Sequence, residues 1–171
     1  MLSAGVDPAT GSVDDALKAI DVIKKARDAG QFRKITGNSY TEDLGIGDTW
    51  AAMAWSGDVA ALQKDHPDLQ WVLPAEGANS FVDTLMIPIG ANLDAAAAWI
   101  NYLYDPTVSG PLFEAINYVS PVTDAGKYMS ADAAKNPLIN PPASAKISVF
   151  KDLSEADAAT LETAYSEATQ L

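Results

Sequence analysis

Asp48-Thr49-Trp50-Ala51-Ala52-Met53-Ala54-Trp55, followed by Ser56-Gly57-Asp58, reads as a strand that turns into a helix. Trp50, Ala52 and Ala54 fall on one face of an extended chain, and Ala51, Met53 and Trp55 on the other. Both faces are apolar, as in a sheet with layers packed on each side. Gly57 turns the chain, and Asp58 opens a short helix through Ala61-Leu62-Gln63. The same pattern continues downstream. Leu69 to Leu73 reads as a strand closed by Pro74, Pro74 to Ser80 as a loop, and Phe81 to Ile87 as a strand stopped by Pro88.

Helices flank these segments. Ser12 is placed to cap a helix, with Asp15 in capping-box position. Val13, Ala16, Leu17, Ile20 and Ile23 then recur at helical spacing until Gly30 ends the segment. Lys18, Lys24, Lys25 and Arg27 mark its outer, solvated face. A short helix covers Tyr40 to Gly45. Asn92 caps a helix through Leu103, and Asp105-Pro106 breaks it and starts another that reaches Ile116. Pro111 inside that segment implies a kink or a late start. Pro121 to Ala145 reads as loop with one weak helix near Ser130 to Lys135. Ser154 with Asp157 resembles a capping box for a last helix that runs to about Thr169, with Leu161, Tyr165 and Ala168 on one stripe. Strands alternating with helices indicate an α/β layer structure, with residues 1–171 forming a single α/β domain or part of one.

Composition narrows the function. A chain of 171 residues, 48% of them apolar, is long enough to bury roughly 70% of its unfolded surface. The net charge of −12 argues against nucleic acid and anionic membranes, which call for basic patches. There is no cysteine, which excludes disulfides, thiolate metal sites and cysteine nucleophiles. The segment from Met1 to Asp7 has neither the basic start nor the apolar core of a signal peptide. His66 stands alone in a solvent-facing turn. Gly45-Ile46-Gly47 lacks the spacing of a phosphate loop, and no serine has triad context. No cofactor is called for.

What remains is a recurring juxtaposition of rings and acids. Trp55 precedes Asp58 by three residues, Phe81 precedes Asp83 by two, and Tyr118 follows in Ile116-Asn117-Tyr118. An ammonium lies favourably over an aromatic face and pairs with a carboxylate, so this inventory suits an organic polycation with an apolar stem. On a strand, Phe81 and Asp83 share a face. Simpler readings compete with this one. Asp58 suits a helix N-cap, Trp55 and Phe81 suit a core, and Tyr118 suits a core tyrosine held by one hydrogen bond. Asp83, on a strand flanked by Phe81, Val82, Leu85 and Ile87, is costly to bury without a partner. Trp50, Trp71 and Trp99 read as core. An enzymatic alternative, a hydrolase with Asp58 and Asp83 as paired carboxylates, has no nominated substrate.

Met53-Ala54-Trp55-Ser56-Gly57-Asp58-Val59, Val72-Leu73-Pro74-Ala75-Glu76-Gly77 and Ser80-Phe81-Val82-Asp83-Thr84-Leu85-Met86-Ile87-Pro88 together resemble the second lobe of the periplasmic spermidine/putrescine-binding proteins, the solute receptors of polyamine ABC importers. The likeness continues through Ala98-Trp99-Ile100-Asn101-Tyr102-Leu103 and Ile116-Asn117-Tyr118-Val119-Ser120-Pro121. It implies the incomplete C-terminal lobe of a two-lobed periplasmic binding protein of type II-like fold, with a central sheet covered by helices. It implies that Trp55 and Phe81 wall a polyamine, that Asp83 binds an ammonium, and that Tyr118 lines the cleft. An acid at position 58 and phenylalanine at position 81 resemble the putrescine-type members, which leans toward a diamine.

The resemblance further implies a periplasmic location, a polyamine ligand, an ABC permease as partner and no enzymatic activity. It also leads to the expectation that the export signal, the first lobe and the start of the second lobe are missing from this sequence. On that expectation the surface so exposed invites self-association. A non-binding fragment and a receptor for another solute are the alternative readings.

Overall fold

The computed structural model describes residues 1–169, which group into two compact units. The first comprises Met1–Gly37, Leu73–Val82 and the chain from Lys146 onward; the second comprises Asn38–Val72 and Asp83–Ala145. Together they make a mixed α/β chain with a small parallel sheet.

In the first unit, helix α1 (Val13–Asp28) packs along helix α7 (Glu155–Thr169). The capping box forms as its residues dictate. Asp15 N–H donates to Ser12 Oγ at 3.2 Å, while Asp15 Oδ2 accepts from the Ser12 N–H at 3.0 Å and from its hydroxyl at 2.6 Å. The Ser12 hydroxyl and then its main-chain N–H hold the Asp15 carboxyl below the usual carboxylate range. Asp14 and Asp15 occupy the first turn and Lys25 and Arg27 the last, the arrangement that complements the helix dipole. Val13, Ala16, Leu17, Ile20 and Ile23 are half-buried on one stripe. Arg27 departs from the solvated face expected of it. Its side chain is largely buried, pairs with Asp28 at 2.7 Å and donates to the carbonyl of Glu167 on α7 at 2.8 Å. Half of the expected box at α7 is present, with Asp157 N–H donating to Ser154 Oγ at 3.1 Å. On α7, Leu161 and Ala168 turn inward while Tyr165 stays largely exposed.

The sheet lies in this unit. Strand β1 (Ala78–Ser80) pairs in parallel with β2 (Ile147–Val149), in the register Ala78↔Ile147, Asn79↔Ser148 and Ser80↔Val149. Gly77 leads into β1 at φ +109°, in the region that favours glycine, and a Cβ there would lie 2.7 Å from the Lys146 carbonyl oxygen. Neither strand stands where the sequence pattern put one. Asp48–Trp55, Leu69–Leu73 and Phe81–Ile87 have no ladder, and β1 falls in the expected loop. Alternation specifies which faces a strand shows, but pairing requires a partner, and among the described residues these segments have none. Trp50 and Met53 are accordingly 95% and 94% exposed rather than buried in a layered sheet.

The second unit is helical: α2 (Tyr40–Gly45), α3 (Ser56–Leu62), α4 (Leu93–Leu103), α5 (Pro106–Ile116) and α6 (Ala131–Lys135). Its core gathers Val59, Ala60 and Leu138, with Ala54 and Trp71 packed against them. Trp71 is therefore a core residue as expected, whereas Trp99 is 60% exposed and stacks obliquely near Tyr102. Local chemistry sets the helix starts. Asn92 accepts from Ala95 N–H at 3.0 Å, Asp105 from Thr107 N–H at 2.8 Å, and Ser130 from Ala133 N–H at 3.2 Å. Helix α5 begins at Pro106 and runs on through Pro111, so the late start does not occur. Helix α3 begins two residues before Asp58, and its N-cap is Trp55, without a side-chain cap. His66 is half-buried beside Gly45 rather than free in solvent.

Two glycines permit close approaches in this unit. A Cβ at Gly110 would meet the Ala125 carbonyl oxygen at 2.6 Å and Tyr128 Cβ at 2.8 Å, and one at Gly57 would overlap the Tyr118 ring. Alanine gains about 1 kcal/mol of helix propensity over glycine, but overpacking costs about 1–3 kcal/mol. Gly110→Ala, which meets unyielding backbone, is therefore expected to lower unfolding free energy despite the better helix former; a rise in denaturation midpoint would contradict this packing. Ser12→Ala, which removes the α1 cap, is expected to cost about 1 kcal/mol in the same measurement.

Candidate functional site

Three of the five candidate residues come together in the second unit. Trp55 sits at the junction where irregular chain enters α3, and Asp58 follows in the first turn of that helix. Tyr118 lies just past α5, whose C-cap Asn117 takes the left-handed conformation at φ 62° and turns the chain. The Tyr118 ring rests on Gly57, and its hydroxyl donates to Asp58 Oδ1 at 3.4 Å. A side chain that the sequence reading did not single out completes the cluster. Tyr40, at the first position of α2, is buried, and its hydroxyl donates to Asp58 Oδ2 at 2.6 Å while accepting from the Trp55 N–H at 2.9 Å. The indole N–H of Trp55 in turn donates to Asn38 Oδ1 at 3.3 Å.

This geometry answers the simpler readings of the sequence. Asp58 is not the cap of its helix; its carboxylate points to phenols. Trp55 is 43% exposed, too open for a core residue. Tyr118 is half-buried and has the single hydrogen bond anticipated for it. Asp83 is exposed, so the expected cost of burying it does not arise. Its negative charge nonetheless reaches Tyr118 and helps to raise the phenol's pKa, after burial, the Asp58 charge and the Asp58 hydrogen bond. Asp58, Tyr118 and Asp83 thus share one electrostatic neighbourhood. Phe81 belongs to the first unit, where it is 49% exposed. Neither Phe81 nor Asp83 lies in a ladder, so the alternation that would set them on one face has no strand to act through.

The phenols record how negative this neighbourhood is. Burial first, and then the hydrogen bond to Asp58, pushes Tyr40 up to about 12. Among the described residues neither Asp58 nor Asp83 has a lysine or arginine partner, whereas Asp15, Asp21, Asp28 and Asp124 each do. No group of three or more metal-ligating side chains occurs among the described residues. Two concavities of the second unit, of about 350 and 330 Å³, have none of the five candidates in their walls. Trp55, Phe81 and Asp83 are exposed, and Asp58 and Tyr118 are half-buried.

No helix among the described residues is long and apolar enough to cross a membrane. Comparison with known proteins gives a consistent answer. The chain is 32% identical over 154 residues to the putrescine-binding periplasmic protein PotF of Escherichia coli (strain K12), covering 85% of this chain and 41% of that protein. It is 27% identical over 143 residues to the putrescine-binding periplasmic protein SpuD of Pseudomonas aeruginosa (strain UCBPP-PA14), covering 80% and 36%. With the spermidine/putrescine-binding periplasmic protein of Salmonella typhimurium it shares 32% identity over 107 residues, 62% of this chain and 30% of that one. The chain therefore spans about two fifths or less of the length of these relatives. Its mixed α/β organisation is consistent with one lobe of a periplasmic-binding-protein fold. Residues 1–141 match the bacterial extracellular solute-binding proteins, a non-catalytic group, which gives the chain a non-enzymatic role and removes the paired-carboxylate hydrolase. The chain belongs to the family of bacterial extracellular solute-binding proteins.

Proposed function

We propose that this chain contributes a polyamine site to the solute receptor of an ABC importer in the periplasm. The observation that carries the reading is the pair Asp58 and Asp83. Among the described residues they are two carboxylates without a basic partner, and both act on Tyr118. Such a pair favours an incoming cation, and the partly exposed Trp55 beside Asp58 offers a face for an ammonium and its methylenes. In this proposal Asp83 binds one ammonium, Asp58 contributes to the same field, Trp55 walls the stem, and Tyr118 lines the site. The likeness to the polyamine receptors nominates Phe81 as a further aromatic wall; the geometric support lies in the second unit alone. An acid at position 58 and phenylalanine at position 81 favour a diamine of the putrescine type. The permease of the importer is the partner that this function requires.

The proposal is tested by titrating putrescine and spermidine calorimetrically into the chain, with amino acids and divalent cations as competitors. Micromolar binding of the diamine, displaced by neither competitor, is the expected result. Asp83→Asn is expected to weaken it by roughly tenfold or more, the effect of losing one charge-assisted hydrogen bond to the ligand. Equal binding by the parent chain and Asp83→Asn would remove the basis of the assignment, displacement by an amino acid would indicate a receptor for another solute, and silence would favour a non-binding fragment.

A further inference from the structure

Tyr40 engages two candidate residues at once, through a single atom. Its hydroxyl proton goes to Asp58 Oδ2 at 2.6 Å, a short charge-assisted bond, and its lone pair takes the Trp55 N–H at 2.9 Å. The ring is buried at 8% exposure, so the hydroxyl is fixed by the packing of α2 and not by a mobile surface side chain. Asp58 has no other means of fixing its carboxylate among its own helix neighbours, because it does not cap α3. Its second oxygen, Oδ1, has only the long 3.4 Å bond from Tyr118. One oxygen is thus committed and the other is nearly free.

We propose that Tyr40 is a positioning residue of the amine site, holding the Asp58 carboxylate so that Oδ1 faces the ligand and holding the Trp55 main chain at the start of the same helix. The inference rests on the polyamine reading of the site, and it adds to that reading a residue that touches no ligand. Division of labour follows from the geometry. Oδ2 is spent on structure, and an ammonium entering from solvent meets Oδ1, where it competes only with the weak Tyr118 bond. The indole N–H donates separately to Asn38 Oδ1 at 3.3 Å, so Tyr40 holds the Trp55 main chain and Asn38 adds a restraint on its ring.

Tyr40→Phe keeps the buried ring and deletes only the hydroxyl, so the test is a double-mutant cycle with Asp58→Ala, read by calorimetry with putrescine. A positioning role predicts that Tyr40→Phe weakens the amine by roughly tenfold in the parent chain and by less than about twofold once Asp58 is gone. An equal loss in both backgrounds would make Tyr40 merely structural and overturn the inference, as would no loss in either. A second readout needs no ligand. Tyr40 keeps its proton up to about 12, under the combined influence of burial, Asp58 and Tyr118. A phenol pKa raised above its unfolded value of about 10 stabilises the folded chain fully below pH ~10, and that contribution is lost as pH rises through the folded value. In Asp58→Ala the Tyr40 titration, followed by NMR of its ring carbon, should fall toward the ordinary range, and the loss of unfolding stability above pH ~10 should shrink as the folded and unfolded values draw together. An unmoved titration would break the link between the two residues and decides the matter where Asp58→Ala leaves no measurable binding. A parent chain that binds no amine would overturn the functional reading together with this inference, whereas binding that ignores Tyr40 would overturn this inference alone.

Discussion

The hydrogen bond from Tyr40 to Asp58 is the constraint on which the candidate site depends. A buried phenol must satisfy its hydroxyl, since an unpaired polar group away from water costs about as much as a lost hydrogen bond. Tyr40 satisfies it twice, as donor to Asp58 and as acceptor from Trp55. The second bond also occupies the N–H at the cap position of α3, an end where no side chain performs capping. One side chain on α2 therefore supplies what a sheet would otherwise provide. It fixes the junction at which irregular chain becomes α3, and with it the positions of a ring and an acid. The close seat of the Tyr118 ring on Gly57 adds a second restraint on the same turn of helix.

The negative field is the other organising fact. The lysines of α1 that pair do so with acids of their own helix, Lys18 with Asp15 and Lys25 with Asp21. Arg27 is drawn to Asp28 and to the end of α7. Among the described residues no basic side chain pairs with Asp58 or Asp83, and the two phenols near them hold their protons more tightly, through burial first and then the neighbouring carboxylates. A net charge of −12 supplies a background of the same sign. Long-range attraction for a cation follows from that charge, but a site follows only from the local arrangement, because charge alone does not orient a ligand.

Features encoded by near neighbours were legible in the sequence, and features that need distant partners were not. The Ser12–Asp15 box, the cap at Asn92, the start of α5 at Pro106 and the extent of α2 all rest on residues within a few positions of each other. Strand pairing is a different problem. Trp50 to Trp55 is apolar on both faces, as a covered strand would be, and has no ladder, while Ala78-Asn79-Ser80, with little intrinsic strand preference, pairs because Ile147–Val149 lies alongside. At the candidate site the nearness of Trp55 to Asp58 was legible, being three residues of chain, yet capping was the wrong role for Asp58. Tyr40 was silent, since its partner lies eighteen residues away and nothing in a tyrosine at a helix start announces a carboxylate.

An exposed acid by itself is a poor receptor. A salt bridge open to water contributes about 0–1 kcal/mol, because water competes for both charges. Asp83 is exposed, and a lone ammonium meeting it in solvent would gain little. In the proposed site the half-exposed indole of Trp55 would change this balance by displacing water from one side of the cation and presenting its negative face. Its main-chain bond to Tyr40 and its ring bond to Asn38 restrain it at the start of the helix that carries Asp58. A rigid ring beside an unpaired acid forms a site with less ordering cost at the moment of binding than two mobile side chains would incur. On that proposal the spacing of aromatic and acid has a physical meaning: the ring would supply the partial dehydration without which the charge has little to offer a soluble amine.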